Sequence, residues 1–497
     1  MRTNISLLKY LLLSFIVIGF FLGFINFLHF RSLWLDEAML ALNIVNKPIN
    51  ELFEPLDHNQ VAPIGFLVIE KIFSYLFGNT DWSLRVFTML SFLASIFLIY
   101  FLSLKIMKEK IFALFTTALF SLNFFIISYS TEVKQYMSDV MICLIILLAT
   151  INFIEKYDRK QLYIYSLIGV ISIWFSNISI ILLFSASLCV FYIFCFRNKI
   201  YLQILLLIGS WFISFGIYYF LFIHNHPAKS VMIRYWSNAN AFIPQNILSV
   251  DFYFAIYSKI KLLFRLLGHN LLSLGMIPFF TIGLFFFGKK NKELLFILVL
   301  PIIIHFFLAY LKLYPFDSRL ILYITPILII IIVTGIYYSL KFFTPKAQII
   351  LSHLIVIPLI INLVFVYKTG YPIEKEEIKK PLEYLNTKIL KGDYIYVYYA
   401  ASPAFSFYQK RYTEILKTDE KNIIVSSGNR ENWSKYEKDI SKIRGSVWIL
   451  FSHIYWEKNE KGLTEEYYIL DLFRKNRFKV IEKHTYHGAS IYKAISL

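Results

Sequence analysis

Apolar runs of about 20 residues recur along most of the chain, and they restrict its fold more than any other feature. Of the 497 residues, 58% are hydrophobic and only 16% are charged. A soluble domain of this length does not need so much apolar surface. The sequence therefore predicts a polytopic α-helical membrane protein, with the lipid bilayer as the environment of most of its length.

The lengths of these runs predict about eleven transmembrane helices. The predicted spans cover residues 7–28, 85–104, 111–128, 135–154, 161–176, 178–196, 201–223, 271–287, 294–312, 319–340 and 347–367. The first run is too long for the apolar region of a signal peptide and lacks a small-residue cleavage site, so we expect it to stay as an anchor. One further stretch, Val61–Phe77, is short and contains Glu70 and Lys71, so its relation to the membrane is ambiguous.

Basic residues are concentrated in short loops between the spans and in the polar tail, which explains the net charge of +18 better than a nucleic-acid partner does. By the positive-inside rule, five of these loops are cytoplasmic. They are residues 105–110, 155–160, 197–199, 288–292 and 341–346. With a cytoplasmic N-terminus, this topology requires that residues 61–77 do not cross the membrane. We therefore expect an interfacial helix there, within a long first outer loop at residues 29–84.

The tail differs from the rest of the chain because alternating patterns and mixed charge replace the apolar runs. Strands are predicted within residues 391–399, 422–426, 446–451, 478–486 and 490–493, and helices at residues 402–411 and 464–476. These elements predict a small α/β domain at residues 371–497, after a transmembrane domain at residues 1–370. Eleven spans place this domain outside the cytoplasm. We assign it no catalytic role.

Two adjacent carboxylates, Asp36 and Glu37, follow Trp34 just outside the first predicted span. A carboxylate at this position can act as a general base on an acceptor hydroxyl or amine, or it can hold a divalent cation. The alternative is a solvated pair that caps an interfacial helix, with Trp34 as an aromatic-belt residue. Spacing alone leaves both interpretations open.

Further charged residues fall in the predicted outer loops. Glu132 and Lys134 precede one span, and Arg85 and Arg319 each begin another. Arginines on the outer side run against the positive-inside bias, so each requires a local anion. The phosphate of a lipid substrate would provide it, and so would ordinary headgroup phosphate. For Glu132 and Lys134, the alternative is boundary charge without a chemical role.

Several histidines lie on or near the same face, among them His58, His224, His226 and His269. No metal-ligand spacing unites them, so a structural role is the simpler interpretation of each. The three cysteines lie within apolar spans and are expected to serve packing. The sequence contains no Walker A, G-x-G-x-x-G, G-x-S-x-G or H-E-x-x-H pattern, so no nucleotide cofactor is predicted.

Four segments, taken in order, resemble the GT-C glycosyltransferases, in particular the bacterial branch similar to protein O-mannosyltransferases and the aminoarabinose lipid A transferase. They are Trp34–Ala38, His58–Pro63 with the apolar stretch that follows, Gly78–Arg85 and Tyr129–Tyr136. The resemblance covers roughly residues 5–200 and is looser around Arg319. Enzymes of this group take a sugar from a polyprenyl-phosphate carrier and invert its anomeric centre.

The resemblance implies roles for individual residues. Asp36 corresponds to the first-loop aspartate, the expected base or metal-site acid, with Glu37 beside it, and Glu132 corresponds to the acid of the second outer loop. Lys134 stands where arginine is common, and it would meet phosphate as a point charge. The residues expected to bind lipid phosphate are Arg85, Lys134 and Arg319, and further candidates for substrate contact are His58, Tyr136 and His269.

These features predict an integral-membrane glycosyltransferase of the bacterial inner membrane that moves a sugar from a polyprenyl-phosphate donor to an extracytoplasmic lipid, glycan or protein. Whether Asp36 or Glu132 holds a divalent cation is left open by the sequence. One alternative is a transporter or flippase of lipid-linked glycans, which would need ionisable groups buried within the spans. The other is a non-catalytic assembly subunit, which would tolerate the loss of Asp36.

Overall fold

The structure is a computed structural model that describes residues 2–197, 199–344, 347–348, 351, 353–409, 420–430, 432–455 and 462–497. The chain divides into two compact units, residues 1–28 with 48–371 and residues 29–47 with 372–497. The segment that carries Asp36 is therefore compact with the tail, although more than 300 residues separate the two in the sequence.

The first unit is helical. Its α-helices are α1 (Arg2–Leu28), α3 (Ile64–Phe77), α4 (Val86–Met107), α5 (Lys110–Ser121), α6 (Phe124–Tyr129), α7 (Tyr136–Glu155), α8 (Arg159–Phe175), α9 (Ser179–Phe191), α10 (Tyr201–Tyr218), α11 (Lys229–Asn238), α12 (Val250–Arg265), α13 (Asn270–Gly275), α14 (Ile277–Lys290), α15 (Lys292–Tyr310), α16 (Thr325–Leu340) and α17 (Val356–Lys368). Helix α2 (Leu35–Asn46) belongs to the second unit.

Among the described residues, eight helical segments are long and apolar enough to cross a membrane. They are Ser6–Leu28, Ser83–Met107, Tyr136–Glu155, Ser179–Arg197, Tyr201–Ile223, Asn270–Lys290, Lys292–Tyr310 and Leu322–Leu340. Helices α5 and α17 are shorter apolar helices, and α8 occupies the predicted span at residues 161–176. The predicted class, a polytopic helical membrane protein, is confirmed. The predicted span at residues 347–367 includes residues outside the described ranges, and α17 covers its second half.

The predicted span at residues 111–128 forms two helices rather than one, because Asn123 separates α5 from α6. The Asn123 side chain accepts hydrogen bonds from the backbone N–H groups of Phe125 (3.0 Å) and Ile126 (3.2 Å). Its amide group donates to the carbonyl of Leu266 at 2.7 Å. A polar cap of this kind starts a new helix inside what reads as a single apolar run.

Two ion pairs join the predicted cytoplasmic loops at one end of the helical unit. Lys105 Nζ lies 2.5 Å from Glu155 Oε2, and Arg197 Nη1 lies 2.6 Å from Glu293 Oε1. Helices α4 and α7 both end beside the first of these pairs, so both begin at the opposite end.

The opposite end is joined through Lys134, whose Nζ donates to Gln60 Oε1 at 2.6 Å. Gln60 precedes α3 and Lys134 precedes α7, so α3 starts at the end from which α4 and α7 depart. Its 14 residues span roughly 21 Å, less than the ~30 Å apolar core of a bilayer. This placement is compatible with an interfacial helix, and the absence of a crossing at residues 61–77 stays a prediction.

The second unit holds α2, α18 (Lys379–Lys388), α19 (Ser402–Gln409), α20 (Ser434–Ile440) and α21 (Glu465–Lys475). Its sheet contains β1 (Tyr394–Val397), β2 (Ile423–Val425), β3 (Ser446–Ser452), β4 (Phe478–Tyr486) and β5 (Ala489–Ser496) in the order β2-β1-β3-β5-β4. Strand β1 pairs in parallel with β2 and β3, and the remaining pairs are antiparallel. The order reverses around β1, and ligands of α/β domains commonly bind at the carboxyl ends of strands beside such a reversal.

The predicted tail elements are all found. The strand predicted at residues 391–399 is shorter, because Gly392 adopts a left-handed turn (φ +97°) before it. The helix predicted at residues 402–411 forms at Ser402–Gln409, and its last two predicted residues lie outside the described ranges.

Candidate functional site

Asp36 lies in the first turn of α2 and is half-buried, whereas Glu37 beside it is fully buried. The first turn favours carboxylates because the helix presents its positive dipole end and unpaired N–H groups there. The two predicted acids thus occupy different environments. Asp36 keeps access to the surface of its unit, and Glu37 faces the interior.

The interior partner of Glu37 is Arg31, which is itself buried. Arg31 Nη1 lies 2.7 Å from Glu37 Oε2, and the same carboxylate accepts the backbone N–H of Trp34 at 3.4 Å. An acid at the third helical position commonly reaches back to the start of the helix in this way. Glu37 is thereby committed to fixing the turn that presents Asp36.

Two consecutive glutamates of the tail, Glu376 and Glu377, bind the segment before Asp36. The Leu35 N–H donates to Glu376 Oε2 at 3.0 Å. Ser32 donates to Glu377 twice, from its N–H and from its hydroxyl, each at 3.2 Å. These carboxylates satisfy backbone donors that a helix start leaves unpaired.

The same segment also contacts α19 and the start of α18. The Leu33 N–H donates to the Tyr408 hydroxyl at 2.8 Å, and the Lys379 N–H donates to the Ser32 hydroxyl at 3.0 Å. Five hydrogen bonds from buried or half-buried groups therefore attach residues 32–35 to the tail. This attachment was not predicted, because the tail glutamates carry no motif beyond their adjacency.

Trp34 completes the junction. Its ring lies 4.6 Å from Lys375 Nζ and 6.3 Å from the ring centre of His453. His453 Nδ1 lies 2.5 Å from Glu376 Oε1, so one glutamate connects Leu35 with the residue that follows β3.

In the helical unit, Glu132 is fully buried in the loop between α6 and α7. The loop is anchored on both sides of it. Thr131 Oγ1 accepts from Asn26 Nδ2 at 2.7 Å, and Lys134 donates to Gln60. The predicted pair of Glu132 and Lys134 is thus present in one ordered loop, with both side chains buried.

Tyr129, at the end of α6, connects Glu132 with Arg319. Burial raises the pKa of the Tyr129 hydroxyl, the charges of Glu132 and Asp317 raise it further, and the charge of Arg319 lowers it. Since such influences require proximity, Glu132 and Arg319 both lie near Tyr129, and their role in one site stays a prediction. Asp317 joins them and was not predicted.

Lys259 fixes the chain beside Asp317. Its Nζ donates to the carbonyls of Asn240 (2.5 Å) and Phe316 (3.1 Å). Burial lowers the pKa of Lys259, and the nearby Asp317 carboxylate opposes that shift. The guanidinium of Arg319 lies 5.0 Å from the ring centre of Trp236. These contacts order the segment that carries Arg319.

The remaining predicted residues have varied placements. Arg85 is buried at the start of α4, and Tyr136 is buried with its ring 5.4 Å from that of Tyr129. His58 is exposed with a left-handed backbone (φ +58°). His269 caps α13, because its Nδ1 accepts the N–H of Leu271 at 3.2 Å, which gives this histidine a structural task.

Two further buried ionisable residues, Asp139 and His305, lie in the helical unit, and His305 contacts the segment that precedes Arg319. The Ser176 hydroxyl donates to Asp139 at 2.6 Å. His305 contacts the Tyr323 hydroxyl through Nδ1 (2.9 Å) and the Pro315 carbonyl through Nε2 (3.0 Å). Both ionisable side chains therefore have protein partners.

Within the described ranges, no three histidine, cysteine, aspartate or glutamate side chains come together as metal ligands. Binding of a divalent cation by Asp36 or Glu132 therefore stays an open prediction.

Residues 61–219 match the family profile described as dolichyl-phosphate-mannose-protein mannosyltransferase. A search of curated proteins found no match.

Solved structures match almost the whole chain. ArnT from Cupriavidus metallidurans bound to undecaprenyl phosphate superposes with a TM-score of 0.54 at 12% identity, covering 97% of both chains. Its apo form gives 0.52 at 11% identity, covering 98% of both chains. The Archaeoglobus fulgidus oligosaccharyltransferase, tethered with an acceptor peptide containing the NVT sequon, gives 0.51 at 12% identity over 97% of this chain and 74% of that one. The predicted resemblance to the GT-C glycosyltransferases is confirmed, and the fold is theirs.

Proposed function

We propose that this protein is an integral-membrane glycosyltransferase that moves a sugar from a polyprenyl-phosphate donor to an extracytoplasmic acceptor, with inversion. The GT-C fold and the mannosyltransferase profile support the reaction class. The undecaprenyl phosphate bound by the similar ArnT supports the donor class. The observation that carries the proposal is the placement of Asp36, half-buried on a helix start that is held by Glu37 and by the tail.

Asp36 is the proposed base. It takes the proton of an acceptor hydroxyl while the acceptor oxygen forms a bond to the anomeric carbon. The bond from that carbon to the carrier phosphate breaks at the same time, and the phosphate leaves with the electron pair. Glu37 is not needed as a second base, because Arg31 neutralises it; we assign it to positioning.

Lys134, Arg85 and Arg319 are the proposed partners of the carrier phosphate, whose charge grows as it leaves. The anchored loop of Lys134 and the ordered segment of Arg319 would meet it without large rearrangement. Glu132, which like Arg319 lies near Tyr129, is proposed to hold this group of charges in place. A divalent cation at Asp36 or Glu132 is tested by chelation, which would abolish turnover if one is required.

The proposed location is the bacterial inner membrane, with the N-terminus in the cytoplasm and the tail domain outside. The eight apolar helices support the membrane location, and the basic loops support this orientation.

The transfer reaction is tested with purified protein, radiolabelled polyprenyl-phosphate sugars and a membrane extract as the source of acceptor. We expect label to move into an acceptor with release of polyprenyl phosphate. Binding of donors without release from any of them would contradict the proposal and favour a flippase or an assembly subunit.

A further inference from the structure

Four rings form a row at the carboxyl ends of β1 and β3, beside the Asp36 segment. The ring centres of Trp34 and His453 are 6.3 Å apart, those of His453 and Tyr455 are 5.0 Å apart, and those of Tyr455 and Tyr399 are 6.4 Å apart. Tyr399 follows β1, and His453 and Tyr455 follow β3. We call these four residues the aromatic row. It occupies the sheet edge at which α/β domains commonly bind ligands.

A buried carboxylate holds the inner end of the row in position. Glu465 is almost completely buried and accepts hydrogen bonds from the hydroxyls of Tyr398 (2.5 Å) and Tyr436 (2.7 Å). The Tyr398 ring contacts the Tyr399 ring, with 4.6 Å between their centres. A surface that is rigid before binding loses little entropy when a ligand arrives.

Two cations flank the row. Arg430 is exposed, and its guanidinium lies 4.4 Å from the ring centre of Tyr455. Lys375 Nζ lies 4.6 Å from the ring centre of Trp34. Lys375 thus adds positive charge at the Trp34 end of this half-exposed aromatic surface, and Arg430 adds it at the third ring. Guanidinium groups suit phosphate or carboxylate oxygens.

We propose that the aromatic row, with Arg430 and Lys375, binds the acceptor, and that the acceptor is a saccharide bearing phosphate or carboxylate groups. The half-exposed rings offer apolar contacts to the C–H groups of sugar rings, and the cations meet the anionic groups. It begins at Trp34, two residues before Asp36, so a saccharide on the row lies beside the proposed base. This assignment rests on the proposed function, and it gives the tail domain the task of acceptor recognition.

The chemistry favours a charged saccharide over a plain one. Neutral sugars need apolar contacts and hydrogen-bonding groups, but they do not need two cations beside the rings. An acceptor that carries anions gains from both cations, and the gain weakens as salt is added. Salt dependence therefore distinguishes a charged acceptor from a neutral one.

The test is saturation-transfer NMR on the full-length protein in nanodiscs of uncharged lipid. The probes are a phosphorylated oligomannoside and the same oligomannoside after phosphatase treatment. We expect the phosphorylated probe to bind more tightly, and we expect Tyr455→Ala to weaken binding by about tenfold or more. Tyr455→Phe is the matched control and should retain binding, because it keeps the ring. Arg430→Gln should weaken only the phosphorylated probe.

Equal binding of the probe by wild type, Tyr455→Ala and Arg430→Gln would overturn the assignment, and so would preference for the neutral probe. Asp36→Asn separates this proposal from the proposed function, since it should bind the probe like wild type while failing to release polyprenyl phosphate. Probe binding in a wild-type protein that consumes no donor would refute the transferase and leave the aromatic row standing. Transfer with an unchanged acceptor KM in Tyr455→Ala would refute only the row.

Discussion

The buried pair of Arg31 and Glu37 provides the sharpest test of how the Asp36 segment is held. Both side chains are at most 2% exposed, and the charged atoms are 2.7 Å apart. In Glu37→Gln the shape is nearly unchanged, but Arg31 loses the negative charge of the Glu37 carboxylate in the interior. Removal of one partner of a buried pair costs about 3–5 kcal/mol, and we expect the lower end because glutamine still accepts a hydrogen bond.

The segment should therefore open more often. A loss of about 3 kcal/mol corresponds to roughly 10²-fold faster hydrogen exchange at amides that exchange by this opening. The amides to follow are those of Leu33 and Leu35, which donate to Tyr408 and Glu376. The assay is hydrogen–deuterium exchange with mass spectrometry on peptides that cover residues 29–47, in detergent at constant pH.

The matched control is Lys475→Met, which removes an exposed ion pair with Asp471 on α21. Such helix-surface pairs contribute about 0.3–0.5 kcal/mol, so exchange in residues 29–47 should not change. A double variant, Arg31→Met with Glu37→Leu, should recover part of the lost protection because no unpaired charge remains. Unchanged exchange at Leu33 and Leu35 in Glu37→Gln would refute the positioning role.

Three further predictions concern other ionisable side chains. Glu376→Gln should lower kcat with little change in donor KM, and it should deprotect the Leu35 amide specifically, which peptide-level exchange and steady-state kinetics would check. Glu70 on α3 is buried, neither of its carboxylate oxygens has a hydrogen-bond partner among the described residues, and burial raises its pKa well above the usual range. A raised pKa means that folding is weakened as pH rises above about 4.5, so Glu70→Leu should stabilise the protein by roughly 1–3 kcal/mol at pH 7 and flatten the pH dependence of thermal unfolding. An equal or lower melting temperature would contradict this. Lys134→Met should weaken binding of polyprenyl phosphate by about tenfold, whereas Lys134→Arg should keep it; equal titration curves for the two variants would remove Lys134 from the phosphate site.

Most of the fold was predictable from local patterns. Apolar length gave the spans, and alternation gave the tail strands; the strand predicted at residues 478–486 forms at Phe478–Tyr486. The charge pattern predicted that residues 61–77 stay at one end of the helices, because a crossing there would have put the later basic loops on the outer side of the membrane. These features repeat every two to four residues or follow from composition, so a sequence shows them directly.

The contacts between distant segments were not predictable. Nothing near Glu376 or Glu377 indicates that they bind the backbone of residues 32–35, more than 300 positions earlier. In the same way, Gln60 and Asp317 have no periodic signature, although they lie beside Lys134 and Tyr129. Such partners depend on the folded path of the chain. The only signal in the sequence for Gln60 and Asp317 was their location in predicted outer loops, near residues that had been predicted to bind substrate.

The distinction between the two adjacent acids also came from the structure. Sequence spacing treats Asp36 and Glu37 alike, yet one is half-buried and the other is enclosed with Arg31. Adjacent helical positions point about 100° apart, so neighbours in sequence face different surroundings. The catalytic proposal therefore narrows to Asp36.

The most direct test of the account compares donor binding and turnover in Asp36→Asn. Purified wild type, Asp36→Asn and Glu51→Gln, an exposed acid of the same loop region, are incubated with labelled polyprenyl-phosphate sugars and acceptor. We predict that all three bind donor with similar Kd, and that only Asp36→Asn loses release of polyprenyl phosphate, by about 10²- to 10⁴-fold. Release at the wild-type rate in Asp36→Asn would contradict the central claim that this carboxylate drives the transfer.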